Sequence, residues 1–159
     1  MIQNILLLIA CIIICEIAGA IGALFNKNSF SKSGWYAKIK KPSFNPPNWI
    51  FAPVWILLYL LMGVSLYLVL DTRISLLSFP IIIFLVQLLL NMFWTGIFFG
   101  LRKPGYAFIE IVLMWLAIVA TIIIFYPISK LASYLLIPYF LWVSFASILN
   151  FSIWWLNKE

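Results

Sequence analysis

The sequence predicts an all-α membrane protein, a bundle of five transmembrane helices. Of its 159 residues, 66% are hydrophobic and 9% are charged, and the mean hydropathy is +1.16. Soluble globular domains carry about 45–50% apolar and about 25% charged residues, so a water-soluble core could not bury this much apolar surface. Charge-poor stretches long enough to cross a bilayer occur five times. They occupy most of the chain, so we expect one transmembrane domain over residues 1–159.

Short connections separate the predicted spans, with one exception. We place the spans at 5–25, 49–70, 77–100, 105–125 and 131–156. No positive charge precedes the first span and Glu16 interrupts it, so we interpret it as a span and not as a cleaved signal peptide. Pro53 and Pro138 stand near the starts of the second and fifth spans, where proline either begins a helix or kinks it.

Basic residues are divided unequally between the two sides of the predicted bundle. Two of the ten lie in the second and fourth loops, and the other eight lie in the first loop, the third loop and the C-terminus. The positive-inside rule then places the first loop and the C-terminus in the cytoplasm and the N-terminus outside. Membrane-surface charge accounts for the net charge of +6, so we expect membrane lipid and no nucleic acid as partner. With no targeting segment, we expect a bacterial plasma membrane.

Composition also excludes several kinds of chemistry. The chain contains no histidine, which excludes Ser-His-Asp catalysis, His-zinc sites and His-ligated haem. Cys11 and Cys15 lie one turn apart within the first span, where they are typical of small packing residues. We therefore predict no metal site, no required cofactor and no acid–base catalytic pair.

The first loop, residues 26–48, is the long connection. It contains Trp35, Tyr36, Phe44 and three prolines, a composition that does not favour disorder. Loops of this length are typically functional. We interpret it as an ordered lid over the cytoplasmic mouth of the bundle, with an interfacial anchor as the alternative.

Two polar stripes lie on faces of single spans. On the third span, Gln87, Asn91 and Trp94, with Phe98, share one helical face. Such a stripe fits either a pocket for a flat, mostly apolar ligand or hydrogen bonds between spans. The fifth span repeats the pattern with Tyr139, Trp142, Ala146 and Asn150. There the small Ala146 opens space for a ligand or for a neighbouring helix.

The acidic and small residues within the spans give further candidates. A proton-coupled transporter would need Glu16 and Glu110, but we expect Glu110 to form an ion pair with Arg102 or Lys103 at the membrane interface. Two small-residue surfaces allow close helix approach, one for an oligomer and the other inside the bundle. These surfaces are Gly96 with Gly100, and Ala18 with Gly22.

A set of motifs in the same order along the chain resembles the TspO/translocator protein family, the tryptophan-rich sensory proteins or peripheral benzodiazepine receptors. The motifs are Trp35-Tyr36, Lys41-Pro42-Ser43-Phe44-Asn45-Pro46-Pro47-Asn48-Trp49, Pro53-Val54-Trp55, Asn91 with Trp94, and Leu136-Ile137-Pro138-Tyr139-Phe140-Leu141-Trp142. The resemblance implies a five-helix bundle, commonly a homodimer, whose first loop caps a pocket open to the cytosolic side. It also implies porphyrins or haem, sterols and benzodiazepine-type compounds as ligands. The ligand-binding positions that it implies are Ala23, Trp35, Phe51, Ala52, Trp55, Asn91, Trp94, Tyr106, Ile109, Leu113, Trp142, Ala146 and Leu149.

The sequence departs from the family at its C-terminal sterol motif. The motif needs a tyrosine where this chain has Phe151, so tetrapyrroles are favoured over sterols as ligands. The function expected is a membrane receptor, sensor or carrier for porphyrin-like ligands. The alternatives are a light-dependent porphyrin-degrading enzyme that uses Trp55 and Trp142, and a proton-coupled transporter.

Overall fold

A computed structural model describes residues 2–25, 29 and 34–158, which leaves the first-loop lysines Lys27 and Lys32 outside the described residues. The predicted all-α fold is confirmed, and five helical segments are long and apolar enough to span a membrane. The helices are α1 (Ile2–Leu24), α2 (Trp35–Lys38), α3 (Asn48–Leu70), α4 (Phe79–Thr95), α5 (Pro104–Phe125), α6 (Lys130–Leu135) and α7 (Ile137–Asn157). α2 lies in the first loop, and α6 and α7 together make the fifth span.

Two irregularities interrupt the spans. α4 continues into a π-helical turn over Gly96–Gly100, in which the amide of Leu101 donates to the carbonyl of Gly96. The wider turn accompanies the burial of two consecutive rings, Phe98 and Phe99. The fifth span breaks at Leu136, because Pro138 lacks the amide hydrogen that would continue the helix.

The long helices pack side by side in the bundle. α1 contacts α3 and α4, and α5 contacts α4 and α7. The short helix α6 packs against α3. The approach of α1 to α3 depends on Gly63, because a Cβ there would lie 2.5 Å from the Cα of Ile12.

Both of the small-residue surfaces predicted from the sequence contact other residues of their own chain. Gly96 and Gly100 lie beside the Phe25 ring, and Gly22 lies beside Thr95. Homodimer formation stays a prediction.

The described part of the first loop lies on the bundle. The ring of Trp35 stands 5.6 Å from that of Phe98, and Tyr36 is buried against Phe98 and Phe99. At the other end of the loop, the exposed Phe44 meets Phe145 of α7. The loop thus bridges the third and fifth spans.

Candidate functional site

A cavity of about 520 Å³ lies between α1, α3 and the end of the third span. α1 contributes small residues and one carboxylate, and α3 contributes most of the aromatic wall. The lining residues are Glu16, Gly19, Ala20, Ala23, Asn48, Trp49, Phe51, Ala52, Trp55, Ile56, Tyr59, Trp94, Thr95 and Phe99. We refer to this space as the α1–α3 cavity.

Helical periodicity explains why these residues meet. On α3, Ala52, Trp55 and Tyr59 recur at intervals of three and four and therefore share one face. On α1, Glu16 and Ala23 lie two turns apart, roughly 10 Å along the helix axis. Because α1 ends and α3 begins beside the first loop, Ala23 lies at the loop end of the cavity and Glu16 at its deep end.

Aromatic rings in the cavity wall take part in stacked pairs. Trp55 stacks on Tyr59 with ring centroids 5.6 Å apart, and Trp94 stacks on Phe98 at 5.4 Å. Stacked rings present broad apolar faces, which is the usual lining of small-molecule sites.

Asn91 joins three spans behind the cavity wall. Its Oδ1 accepts a hydrogen bond of 2.6 Å from the Tyr59 hydroxyl, and its Nδ2 donates one of 2.8 Å to the Tyr139 hydroxyl. All three side chains are buried, and Asn91 itself does not line the cavity. Of the two interpretations of this position, interhelical hydrogen bonding is therefore what the structure shows.

Trp94 lines the cavity and also takes part in a hydrogen bond between spans. Its indole Nε1 donates to Oδ1 of Asn150 at 2.9 Å, and the Nδ2 of Asn150 donates to the carbonyl of Pro104 at 2.7 Å. The indole is thereby fixed to the fourth and fifth spans while it lines the cavity.

Trp142, Ala146 and Leu149 lie outside the cavity lining. Trp142 packs edge-on against Phe51, with ring centroids 5.9 Å apart, so it forms a layer behind the wall. Its buried indole Nε1 has no hydrogen-bond partner among the described residues. Ala146 and Leu149 are buried within the bundle.

The structure does not bring the α5 candidates to the cavity. Tyr106, Ile109 and Leu113 lie on the outward face of α5, where they are 65%, 62% and 52% exposed. Glu110 points inward instead, and the expected ion pair with Arg102 or Lys103 is wrong. Its carboxylate is buried, and neither oxygen has a hydrogen-bond partner among the described residues. Both basic residues are exposed, so burial on the inner helix face separates the acid from them.

Of the predicted ligand-binding residues, the cavity unites Ala23, Phe51, Ala52, Trp55 and Trp94. Sequence reasoning did not assign Glu16, Tyr59 or Thr95 to the same pocket. The α3 periodicity from Ala52 could have identified Tyr59, and the α1 periodicity back from Ala23 could have identified Glu16. Trp35 contacts Phe98, whose neighbour Phe99 lines the cavity.

Hydrogen bonds stabilise the first loop internally and attach it to α7. Within the loop, the Tyr36 hydroxyl donates to Oδ1 of Asn45 at 2.7 Å, and burial raises the pKa of Tyr36 to about 12. At the end of α7, Oδ1 of Asn157 accepts from the Lys40 amide at 3.0 Å, and its Nδ2 donates to the Lys40 carbonyl at 2.9 Å. We call this double contact the Asn157 clip.

Comparison with known proteins gives a consistent family relationship. The profile of the TspO/MBR family matches residues 11–156. The tryptophan-rich protein TspO of Chlorobaculum tepidum is 43% identical over 98% of this chain and 98% of its own. The human translocator protein is 41% identical over 76% of this chain and 73% of its own. The tryptophan-rich sensory protein of Cereibacter sphaeroides is 32% identical over 90% of this chain and 86% of its own.

Proposed function

Since the chain belongs to the TspO/MBR family and is an integral membrane protein, we propose that it is a receptor or sensor that binds porphyrin-like ligands in the α1–α3 cavity. One observation carries this proposal. The cavity measures about 520 Å³ and is walled by aromatic rings, and small-molecule sites measure roughly 300–1,000 Å³ with the same kind of lining.

The first loop would cap this site. It packs on Phe98 and Phe99, and Phe99 belongs to the cavity wall. The loop also carries Lys38, Lys40 and Lys41, whose positive charges would favour the approach of an acidic porphyrin to this side of the bundle. A capped aromatic cavity below a basic loop fits a ligand that has an apolar ring and an acidic edge.

Several further properties belong to the same proposal. The protein would reside in a bacterial plasma membrane as a homodimer, with its first loop and C-terminus in the cytoplasm. Benzodiazepine-type compounds, which are flat and apolar, would occupy the same cavity. Tetrapyrroles are favoured over sterols, because stacked rings make more contact with a planar ligand.

Binding of protoporphyrin to matched tryptophan variants tests the site. Trp55→Phe keeps most of the apolar area but reduces the stacking surface, so we expect a roughly two- to tenfold weaker affinity. Ala20→Leu would fill part of the cavity and should weaken binding further. Affinity is measured from the shift of porphyrin absorbance during titration in one detergent.

Trp155→Phe is the control, because Trp155 is exposed on α7 and lies beneath the Lys158 ammonium. Its affinity should match that of the unaltered protein. A loss at Trp155 equal to that at Trp55 would place the porphyrin on the outer surface and contradict the proposal.

A further inference from the structure

We propose that Glu16 makes the α1–α3 cavity selective for aromatic ligands that place a protonated amine at the deep end of the cavity. The inference deepens the proposed function and rests on it, since it concerns the class of ligand that the same cavity prefers. The preferred ligand would thus be flat and apolar and would also carry a positive charge near Glu16.

The charge pattern of the lining is the first argument. Among the described residues that line the cavity, Glu16 is the only acid, and none is basic. The remaining surface consists of aromatic and small side chains with a few neutral polar groups. A ligand that enters fully therefore meets one described side chain of the Asp/Glu/Lys/Arg class, and that side chain is an acid.

Glu16 also has a carboxylate that is free to bind a ligand, unlike the two lining hydroxyls. The Tyr59 hydroxyl is committed to Asn91 at 2.6 Å, and the Thr95 hydroxyl donates to the Asn91 carbonyl at 3.3 Å. No described residue donates a hydrogen bond to the Glu16 carboxylate. A carboxylate has acceptor sites on both oxygens, so it can receive the hydrogens of an ammonium group.

Aromatic rings in the same cavity wall favour the same kind of ligand. Trp55 and Tyr59 line the cavity with Glu16, and aromatic faces attract a cation that lies over them. A carboxylate within a membrane is costly unless it is paired. A bound ammonium would neutralise it, and charge-assisted hydrogen bonds strengthen where water is excluded.

Glu16 also determines the orientation in which an acidic ligand would bind. A carboxylate edge placed at Glu16 would be repelled, whereas no described acid lines the opposite end of the cavity, where Asn48 and Trp49 begin α3 beside the first loop. We therefore expect acid-bearing porphyrins to bind with the carboxylates toward the loop, and amine-bearing ones to bind in the reversed orientation.

Three derivatives of one porphyrin separate charge from shape. They are protoporphyrin with free carboxyls, its dimethyl ester, and its bis(2-aminoethyl) amide, each titrated against the unaltered protein and Glu16→Gln. The amine derivative should bind the unaltered protein about tenfold or more tightly than it binds Glu16→Gln. The ester should bind both proteins within about twofold, which also shows that the variant is folded.

Glu110→Gln is the matched control, because Glu110 is a buried acid of another span that does not line the cavity. It should bind all three derivatives as the unaltered protein does. Equal binding of the amine derivative to Glu16→Gln and the unaltered protein would overturn the charge requirement, while the ester would still report the cavity. Failure of all three to bind the unaltered protein would overturn the proposed function itself.

Discussion

At the scale of single residues, Asn91 shows what a sequence pattern leaves open. Its position on the stripe with Gln87 and Trp94 is readable from helical periodicity, and all three side chains are buried as that pattern predicts. Its hydrogen-bond partners cannot be inferred from that pattern. Tyr59 and Tyr139 lie on other spans, and the rotation of each helix decides which side chains meet. The same limit explains the wrong expectation for Glu110, since proximity in sequence to Arg102 did not reveal which way the carboxylate points.

The Asn91 bonds predict a measurable loss of stability. Asn91→Leu would leave the buried hydroxyls of Tyr59 and Tyr139 without this partner, so we expect the free energy of unfolding to fall by about 1–3 kcal/mol. Thermal unfolding in a single detergent measures it. Thr95→Val, which removes only a 3.3 Å bond to a carbonyl of its own helix, is the control and should cost less. Equal losses in the two variants would show that the three-span bridge adds nothing.

At the scale of elements, the composition of the chain predicts the five spans, but it does not predict every irregularity within them. The observed helices end within a few residues of the predicted bounds, because apolar length alone sets a membrane span. The π-helical turn at Gly96–Gly100 has no sequence signature comparable to that of Pro138 in the fifth span. Prolines and aromatics predicted an ordered first loop, and its contacts with Phe98 and Phe145 support that interpretation.

The Asn157 clip predicts how the first loop opens. Asn157→Ala removes two hydrogen bonds to the Lys40 backbone, so we expect the open state to become roughly tenfold more populated. Trypsin should then cleave after Lys38 and Lys40 faster by a similar factor, as followed by mass spectrometry under native conditions. Ser152→Ala, which removes an exposed hydrogen bond within α7, should leave the rate unchanged. Unchanged cleavage in Asn157→Ala would mean that ring contacts alone hold the loop.

At the scale of the whole molecule, charge asymmetry and tertiary contacts agree on which segments share one end of the bundle. The Asn157 clip joins the first loop to the end of α7, and Asn150 bonds to Pro104 beside the third loop. The basic residues cluster on these same segments. Contacts of this kind fix which loops lie together, whereas the direction of the bundle in the membrane depends on the positive-inside rule.

That direction predicts which loops an impermeant thiol reagent reaches in intact cells. Ser75→Cys lies in the second loop and Lys103→Cys in the third, and both positions are exposed. If the basic end is cytoplasmic, the cysteine at position 75 should label in intact cells, and the one at 103 should label only after lysis. The native Cys11 and Cys15 are at most 2% exposed, so the unaltered protein provides a low background. Labelling at 103 but not at 75 in intact cells would show that the orientation in the membrane is the reverse of the predicted one. The first loop and its lysines would then lie outside.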